Sequence, residues 1–150
     1  MGTNLAMRKS LAFSVFLLAV TVFGAEPPRQ VVVAADGSGQ FTTIAAAIAS
    51  IKDATKDKPV DILIRPGTYA ETITTRDWIN LVGQDREKCV ITFNFDGDPA
   101  QIAYRHTIWA TSNTTIKNLT LIGQTVKYVI HSDGGGAYVC LLYTSPSPRD

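Results

Sequence analysis

Two segments of the chain carry one pattern, WINLVGQ at residues 78–84 and IKNLTLIGQ at residues 116–124. In each segment an Asn-Leu pair in a β-type run is followed by a Gly-Gln pair at the end of the run. The two asparagines, Asn80 and Asn118, lie 38 residues apart, about two coils of a solenoid with roughly 20 residues in each coil. Asn tolerates turn geometry and can bond the backbone of the next coil, so we predict corner positions for both residues.

Short β-type runs separated by turns make up most of the remaining chain. They lie at residues 31–33, 60–65, 78–82, 90–93, 107–110, 115–122, 128–131 and 137–142. The connections are too short for crossover helices, which excludes a doubly wound α/β sheet and leaves a β-sandwich or a parallel β-helix. The repeated segments favour the parallel β-helix, because that fold stacks similar coils.

One helix is predicted after residue 25. It begins at Thr42 or Thr43, either of which can serve as the N-cap, and it should end between residues 52 and 58. Ile44, Ile48 and Ile51 form one apolar stripe along it, at positions i, i+4 and i+7. Such a stripe can cover the open end of a solenoid, so we predict that this helix caps the N-terminal end of the β-helix.

Residues 1–24 have the pattern of a secretory signal peptide. Arg8 and Lys9 precede an apolar run at residues 11–23, and small residues allow cleavage after Gly24. A helix of that length spans about 20 Å of the ~30 Å hydrocarbon core, which makes a permanent membrane anchor the weaker alternative. We therefore predict a secreted or periplasmic protein that has no membrane contact after cleavage.

Composition limits the class of partner. Hydrophobic residues make up 45% of the chain and charged residues 18%, which excludes a disordered protein. The formal net charge is +1 with Arg8 and Lys9 included, so removal of the signal peptide leaves no basic excess that would attract nucleic acid. The two cysteines, Cys89 and Cys140, show no sign of pairing, and we expect Cys89 to be buried and free.

The last eleven residues differ in character from the rest of the chain. Residues 140–150, CLLYTSPSPRD, pass from a short apolar segment into a Ser/Pro tail. This segment resembles the translated read-through of a sequencing adapter, and a genuine disordered terminus is the alternative. We therefore predict that residues 25–139 are the N-terminal part of a β-helix domain, truncated at its C-terminal end.

Three segments, in order and in spacing, resemble the N-terminal part of the pectin methylesterase family. They are AADGSGQFTTIAAAI at residues 34–48, DILIRPGTYAETI at residues 61–73 and INLVGQ at residues 79–84. The resemblance implies a right-handed parallel β-helix and a carbohydrate esterase that acts on methyl-esterified polygalacturonate, in pectin or a related plant cell-wall polysaccharide. We expect no cofactor and no metal, and a monomer when the protein has its full length.

The same segments contain the candidate site residues. Gly67, Tyr69 and Glu71 match a motif of the family, and the resemblance makes them either structural or part of a substrate groove. The DGSG segment should form a tight turn, in which an Asx turn explains the aspartate. Its turn residues are Asp36, Gly37 and Gly39.

The catalytic residues of the family are two aspartates, an arginine and oxyanion-binding glutamines. They belong to motifs of the QAVAL, QDTL, DFIFG and LGRPW types. The last three motifs do not occur in the chain, and VKYVIHSDGGG at residues 126–136 stands where the first is expected. Ester hydrolysis by this route needs those carboxylates and donors, so the chain by itself is predicted to be inactive.

Other chemistries are less well supported by the sequence. His131 and Asp133 are two residues apart and could form a base with its orienting carboxylate, but no nucleophile accompanies them. A histidine that flanks the following Gly-rich turn is the simpler interpretation. The acidic turn at residues 96–98 lacks the spaced oxygen ligands of a calcium loop. A noncatalytic polysaccharide-binding β-helix and a pectate-lyase-like enzyme stay open as alternative functions.

Overall fold

The structure, a computed structural model, describes residues 29–98, 105–132 and 136–145. The predicted signal peptide at residues 1–24 lies outside these ranges. The described residues form the helix α1 (Ile44–Ser50) and the strands β1 (Arg29–Val33), β2 (Val60–Ile64), β3 (Gly67–Ala70), β4 (Ile73–Thr74), β5 (Ile79–Gly83), β6 (Cys89–Asn94), β7 (His106–Ala110), β8 (Thr115–Gln124), β9 (Tyr128–Ser132) and β10 (Tyr138–Ser145).

Every pairing between these strands is parallel. One sheet has the order β1-β2-β5-β8-β6-β3, with β10 also paired to β8, and a second sheet has the order β4-β7-β9. Successive coils of the chain thus lie one above another, which is the arrangement of a parallel β-helix. The fold predicted from the repeated segments is confirmed.

Apolar rows that run from coil to coil fill the interior. One row consists of Ile62, Leu81 and Ile116, and another consists of Tyr69, Ile91 and Leu121. None of these side chains is more than 3% exposed. Alternate residues of a strand point to opposite faces, so each strand supplies every second side chain to these rows. Cys89 joins the same core as a buried, free thiol, as expected.

The helix α1 covers the end of the β-helix that carries β1. Thr43 is its N-cap, and the Thr43 hydroxyl accepts a hydrogen bond from the backbone N–H of Ala46 at 3.3 Å. Ile44 and Ile48 are buried in the same cluster as Val33 of β1. The capping role predicted from the apolar stripe is therefore confirmed. Within the described ranges, no helix has the length and hydropathy that a membrane span requires.

The predicted end of this helix, between residues 52 and 58, was wrong. The helix ends at Ser50, because Ile51 leaves the helical conformation for an extended one (φ −83°, ψ 118°). The Ile51 side chain is still buried, and its carbonyl accepts a 2.7 Å hydrogen bond from the Arg76 guanidinium. A tertiary contact thus fixes the end of the helix, and the helical spacing of the isoleucines could not reveal it.

Most predicted strand boundaries differ from the observed ones by one or two residues, and two differences are larger. The short strands β3 and β4 were not predicted, and the pairing with β6 and β7 defines them. The last strand, β10, continues to Ser145 in parallel register with β8. The boundary predicted after residue 139 therefore does not interrupt the strand, and the non-native origin of residues 140–150 stays a prediction.

The long strand β8 belongs to two faces of the β-helix. Its first part pairs with β5, and its second part, from Thr120 onward, pairs with β6. The change occurs around Asn118, which has a left-handed backbone conformation (φ +57°). Directly below this bend lies Gly83, where an added Cβ would be only 1.8 Å from the carbonyl oxygen of Asn118.

This register corrects the repeat that we inferred from the sequence. Leu81 lies opposite Ile116 in the parallel ladder, so Gly83 stacks under Asn118, and Asn80 lies beside Thr115. β5 pairs directly with β8, so the two asparagines lie in adjacent coils and the predicted separation of two coils was wrong. They are also not equivalent positions of these coils. The two segments are similar because both are apolar strands with a glycine near the end, and such strands can be aligned in more than one register.

Candidate functional site

Glu71 holds the N-terminus of helix α1. Its two carboxylate oxygens accept hydrogen bonds from the backbone N–H groups of Ile44 and Ala45, each at 2.9 Å. The first N–H groups of a helix have no partner within the helix, and a carboxylate at this end also interacts favourably with the helix dipole. Glu71 follows β3 directly, so this contact attaches the capping helix to a strand of the coil beneath it.

Tyr69 ties the same strand to the turn after β1. Its ring is 3% exposed, and its hydroxyl accepts a 3.3 Å hydrogen bond from the N–H of Ala35 and donates a 2.9 Å one to the carbonyl of Arg65. Burial raises the pKa of this phenol. Gly67 packs closely here as well, since an added Cβ would lie 3.2 Å from the Cβ of Ala35.

The contacts of Gly67, Tyr69 and Glu71 are thus internal ones. They connect the capping helix, the first turn and the strand β3 into one unit. This arrangement accounts for the three residues by packing and hydrogen bonding. That Gly67, Tyr69 and Glu71 also line a substrate groove stays a prediction.

The DGSG segment forms a compact turn. Asp36 accepts hydrogen bonds from the backbone N–H of Ser38 at 2.9 Å and from the Ser38 hydroxyl at 2.6 Å. Gly37 has φ +81°, a conformation that side-chain-bearing residues rarely adopt. At Gly39 an added Cβ would lie 2.8 Å from the N atom of Ala34, which excludes any larger residue without a shift of the backbone. These contacts are those of an Asx turn.

Acid should weaken this turn. The Ser38 hydroxyl and then the Ser38 N–H, both hydrogen-bonded to Asp36, hold the pKa of that carboxyl below its ordinary value. Such a group stabilises the folded state above its unfolded pKa of about 3.9, and this contribution is lost as the pH falls through the lower, folded value. We expect urea unfolding to show a steeper loss of stability below about pH 4 for the wild type than for Asp36→Asn. Parallel pH profiles of the two proteins would contradict this expectation.

Asn80 makes the bond between coils that we expected of a repeated asparagine. Its side-chain oxygen accepts a 2.9 Å hydrogen bond from the N–H of Thr115 in the next coil, and its amide donates a 2.8 Å one to Asp61 in the previous coil. It does so from within strand β5, so its predicted place at a corner was wrong. Asn118 lies at the bend of β8.

A cluster of four aromatic rings occupies the paired strands β7 and β9. His106 lies opposite Tyr128 in the ladder, and Trp109 lies opposite His131. The Trp109 ring meets His106 and His131 edge to face, at centroid distances of 5.1 and 4.8 Å. Tyr128 and His131 are 5.0 Å apart. We call these four residues the β7–β9 aromatic face.

No motif in the sequence singles out this cluster. Trp109 and Tyr128 were not predicted as site residues, and the expected partner of His131, Asp133, lies outside the described residues. The structure surrounds the His131 ring with Trp109 and Tyr128. Among the residues that the structure describes, no group of three or more His, Cys, Asp or Glu side chains could hold a metal ion.

The comparison with known families agrees with this architecture. The family model described as Pectinesterase matches residues 30–132, which are more than half of the chain. The chain belongs to the pectinesterase family. The matched range runs from β1 to β9 and therefore includes the capping helix, the DGSG turn and the β7–β9 aromatic face.

Individual pectinesterases are similar over much of the chain. A protein described as probable pectinesterase 49 from Arabidopsis thaliana is 30% identical over 133 residues, which cover 77% of this chain and 36% of the relative. Carrot pectin methylesterase has a TM-score of 0.59 at 25% identity, over 78% of this chain and 42% of the carrot protein. A pectin methylesterase in complex with hexasaccharide VII gives a TM-score of 0.59 at 25% identity, over 79% of this chain and 46% of that one.

The chain thus spans less than half the length of these pectinesterases. The QDTL, DFIFG and LGRPW motifs, which would bring the catalytic aspartates and arginine, do not occur in its sequence. In the segment where the resemblance places an oxyanion-binding glutamine, β9 carries Tyr128 and His131. The described coils therefore contain part of a pectinesterase β-helix, with an aromatic face on it.

Proposed function

We propose that this chain is part of an exported pectinesterase, which hydrolyses the methyl esters of polygalacturonate in plant cell-wall pectin. The observation that carries the proposal is the family match over residues 30–132 on a parallel β-helix. The solved relative that was crystallised with a hexasaccharide supports a carbohydrate substrate. The reaction would use an aspartate nucleophile, a second aspartate as acid and base, and preorganised donors for the oxyanion.

The 150-residue chain itself should have no esterase activity. A carboxylate nucleophile needs a partner carboxylate with a separated pKa and an arginine to orient it. The family motifs that would supply these groups are not present in the sequence. Residues of a longer protein that contains this chain would have to complete the site on neighbouring coils.

Export is part of the same proposal. The basic residues Arg8 and Lys9, the apolar run at residues 11–23 and the small residue Gly24 support cleavage of a signal peptide and release to the periplasm or the medium. Pectin is extracellular, so an enzyme that acts on it has to leave the cell. We expect the full-length protein to be monomeric and to need no cofactor.

Methanol release tests the proposal. The full-length gene would be recovered from the source DNA, and its purified product would be assayed with methylated pectin beside the 150-residue chain. We expect release by the full-length protein alone. Release by the 150-residue chain would contradict the assignment of the catalytic groups, and formation of unsaturated products would indicate a lyase.

A noncatalytic polysaccharide-binding β-helix is the second candidate function. The β7–β9 aromatic face favours it, because aromatic rings on a β-helix can bind sugars without any catalytic group. In that case neither the full-length protein nor the 150-residue chain would release methanol, although both would bind pectin. The same pair of proteins therefore distinguishes the two candidates.

A further inference from the structure

Two sequons for N-linked glycosylation occur in the chain, and the function proposed above uses neither. They are NTT at residues 113–115 and NLT at residues 118–120. A sequon is an Asn followed two residues later by Ser or Thr, and it accepts a glycan where it lies in a surface loop of a secreted protein. The structure places the two sequons in different surroundings.

Asn113 lies in the exposed turn between β7 and β8. Its backbone is left-handed, with φ +56°, and the neighbouring coils repeat this conformation at Trp78 (φ +66°) and Gly136 (φ +108°). The Trp78 N–H donates a 3.2 Å hydrogen bond to the Asn113 carbonyl, and an added Cβ at Gly136 would lie 3.5 Å from the Asn113 nitrogen. The stacking of the coils therefore fixes this turn and holds Asn113 at a corner of the β-helix.

The reacting groups of the Asn113 sequon lie on the outer side of this corner. The Asn113 side chain is exposed, and its amide donates a 3.3 Å hydrogen bond to the carboxylate of Asp77, which is exposed as well. Ile116 is fully buried, so the side chain of the preceding residue, Thr115, is on the outer side of β8. A glycan on Asn113 would displace the hydrogen bond to Asp77 and leave the pairing of the strands intact.

The Asn118 sequon is part of the strand pairing instead. Asn118 is half-buried at the bend of β8, where its carbonyl oxygen packs against Gly83. Thr120 is 9% exposed, and its hydroxyl donates a 2.7 Å hydrogen bond to the carbonyl of Arg86. In the folded chain the hydroxyl of this sequon is thus already bonded, and the sequon lies within a strand and not in a loop.

We propose that Asn113 carries an N-linked glycan, and that Asn118 does not, in the folded protein exported by a eukaryotic cell. The co-substrate is a lipid-linked oligosaccharide diphosphate of the secretory pathway. A bond forms between Nδ2 of Asn113 and the anomeric carbon of the oligosaccharide, the bond from that carbon to the diphosphate breaks, and the amide loses a proton as the lipid diphosphate leaves. This inference rests on the proposed export and does not depend on esterase activity.

Expression in yeast tests the inference. The 150-residue chain would be produced once with its own residues 1–24 and once with a yeast signal sequence in their place, and soluble protein from the cells and the medium would be treated with peptide N-glycosidase. Trypsin cleaves after Lys117, so Asn113 and Asn118 fall on separate peptides. Mass spectrometry then identifies the asparagine that the glycosidase has converted to aspartate.

We expect this conversion at Asn113 and not at Asn118. With the yeast signal sequence, no conversion at Asn113, or any conversion at Asn118, would overturn the proposal. Modification with the yeast signal sequence alone would support the site and contradict the proposed export by residues 1–24, so the two failures can be distinguished.

The two asparagines provide a matched pair of variants. Their backbones are nearly the same, with φ +56° at Asn113 and φ +57° at Asn118, and glycine adopts this conformation without strain. Asn113→Gly should abolish the loss of mass on glycosidase treatment, whereas Asn118→Gly should keep it. A loss of mass that persists in Asn113→Gly would show that another residue carries the glycan and would overturn the proposal.

Variants of Thr115 separate the sequon from the turn. Thr115→Ser keeps the hydroxyl and Thr115→Ala removes it, while both keep Asn113 and the backbone N–H that donates to Asn80. We expect the glycan to be present in Thr115→Ser and absent in Thr115→Ala. Equal glycosylation of these two variants would contradict the assignment to this sequon.

Discussion

Gly83→Ala should destabilise the protein by about 3 kcal/mol, the upper part of the range found for overpacked sites. The reason is a backbone contact, since a Cβ at this position would lie 1.8 Å from the carbonyl oxygen of Asn118 and 2.8 Å from its carbonyl carbon. A side chain can move away from an added methyl group, but this carbonyl belongs to the bend of β8. The stacking of β8 on β5 would have to open.

Urea unfolding of the wild type and the variant, followed by circular dichroism, measures this loss. Gly37→Ala is the matched control, because nothing lies within 4 Å of an added Cβ there and the cost arises only from its φ of +81°. We expect that control to lose about 1 kcal/mol, as for other non-Gly residues in left-handed conformations. A Gly83→Ala protein as stable as Gly37→Ala would show that the β8 bend moves easily.

Glu71→Ala should cost about 2 kcal/mol, in the range for hydrogen bonds to a charged group. The substitution leaves the N–H groups of Ile44 and Ala45 without their carboxylate acceptors, while the N-cap residue Thr43 continues to bind Ala46. The N–H of Ile44 is in a partly buried position, so water replaces the carboxylate only incompletely. The capping helix should therefore loosen before the coils beneath it.

Hydrogen exchange resolves this effect by residue. In Glu71→Ala the amides of Ile44 and Ala45 should exchange faster, whereas those of Leu81 and Val82 in β5 should be unchanged. Glu87→Ala is the control, because it removes a carboxylate from an exposed position away from α1. If Glu71→Ala and Glu87→Ala had the same unfolding free energy and the same exchange pattern, the attachment of the helix through Glu71 would be wrong.

The local sequence pattern was sufficient to predict much of the fold. The strands β2, β5, β6 and β8 are runs of β-branched and other apolar residues, so the residue types themselves identify them. The start of α1 was predictable because Thr43 is a good N-cap before a regular apolar stripe. These features depend on neighbours within one turn or one strand.

Features that depend on contacts between coils were missed or wrong. The four residues of β3, GTYA, form a strand because β6 provides a parallel partner, and GTYA has no strong preference of its own. The register between β5 and β8 is fixed by the close approach of Gly83 to Asn118. The Asn-Leu and Gly-Gln pairs that the two segments share suggested a different alignment. Sequence similarity between two short strands does not determine which residues stack.

In the candidate site, too, features that depend on contacts between coils could not be predicted from local sequence. Family resemblance drew attention to Tyr69 and Glu71, whose contacts could not be predicted because their partners, Ala35 and Ile44, are far away in the chain. The aromatic face was missed because its rings come from β7 and β9, and no motif within either strand indicates that they meet. Only the parallel stacking brings Trp109 and His131 together.

The shared strand β8 also limits how the β-helix can deform. One continuous segment is paired with β5 before its bend and with β6 after it. Sliding β8 by one residue along either neighbour would break both ladders at once and would turn inward-facing side chains outward. The two faces therefore cannot slide independently. A force that pulls on β8 along its axis is resisted by its hydrogen bonds to both β5 and β6.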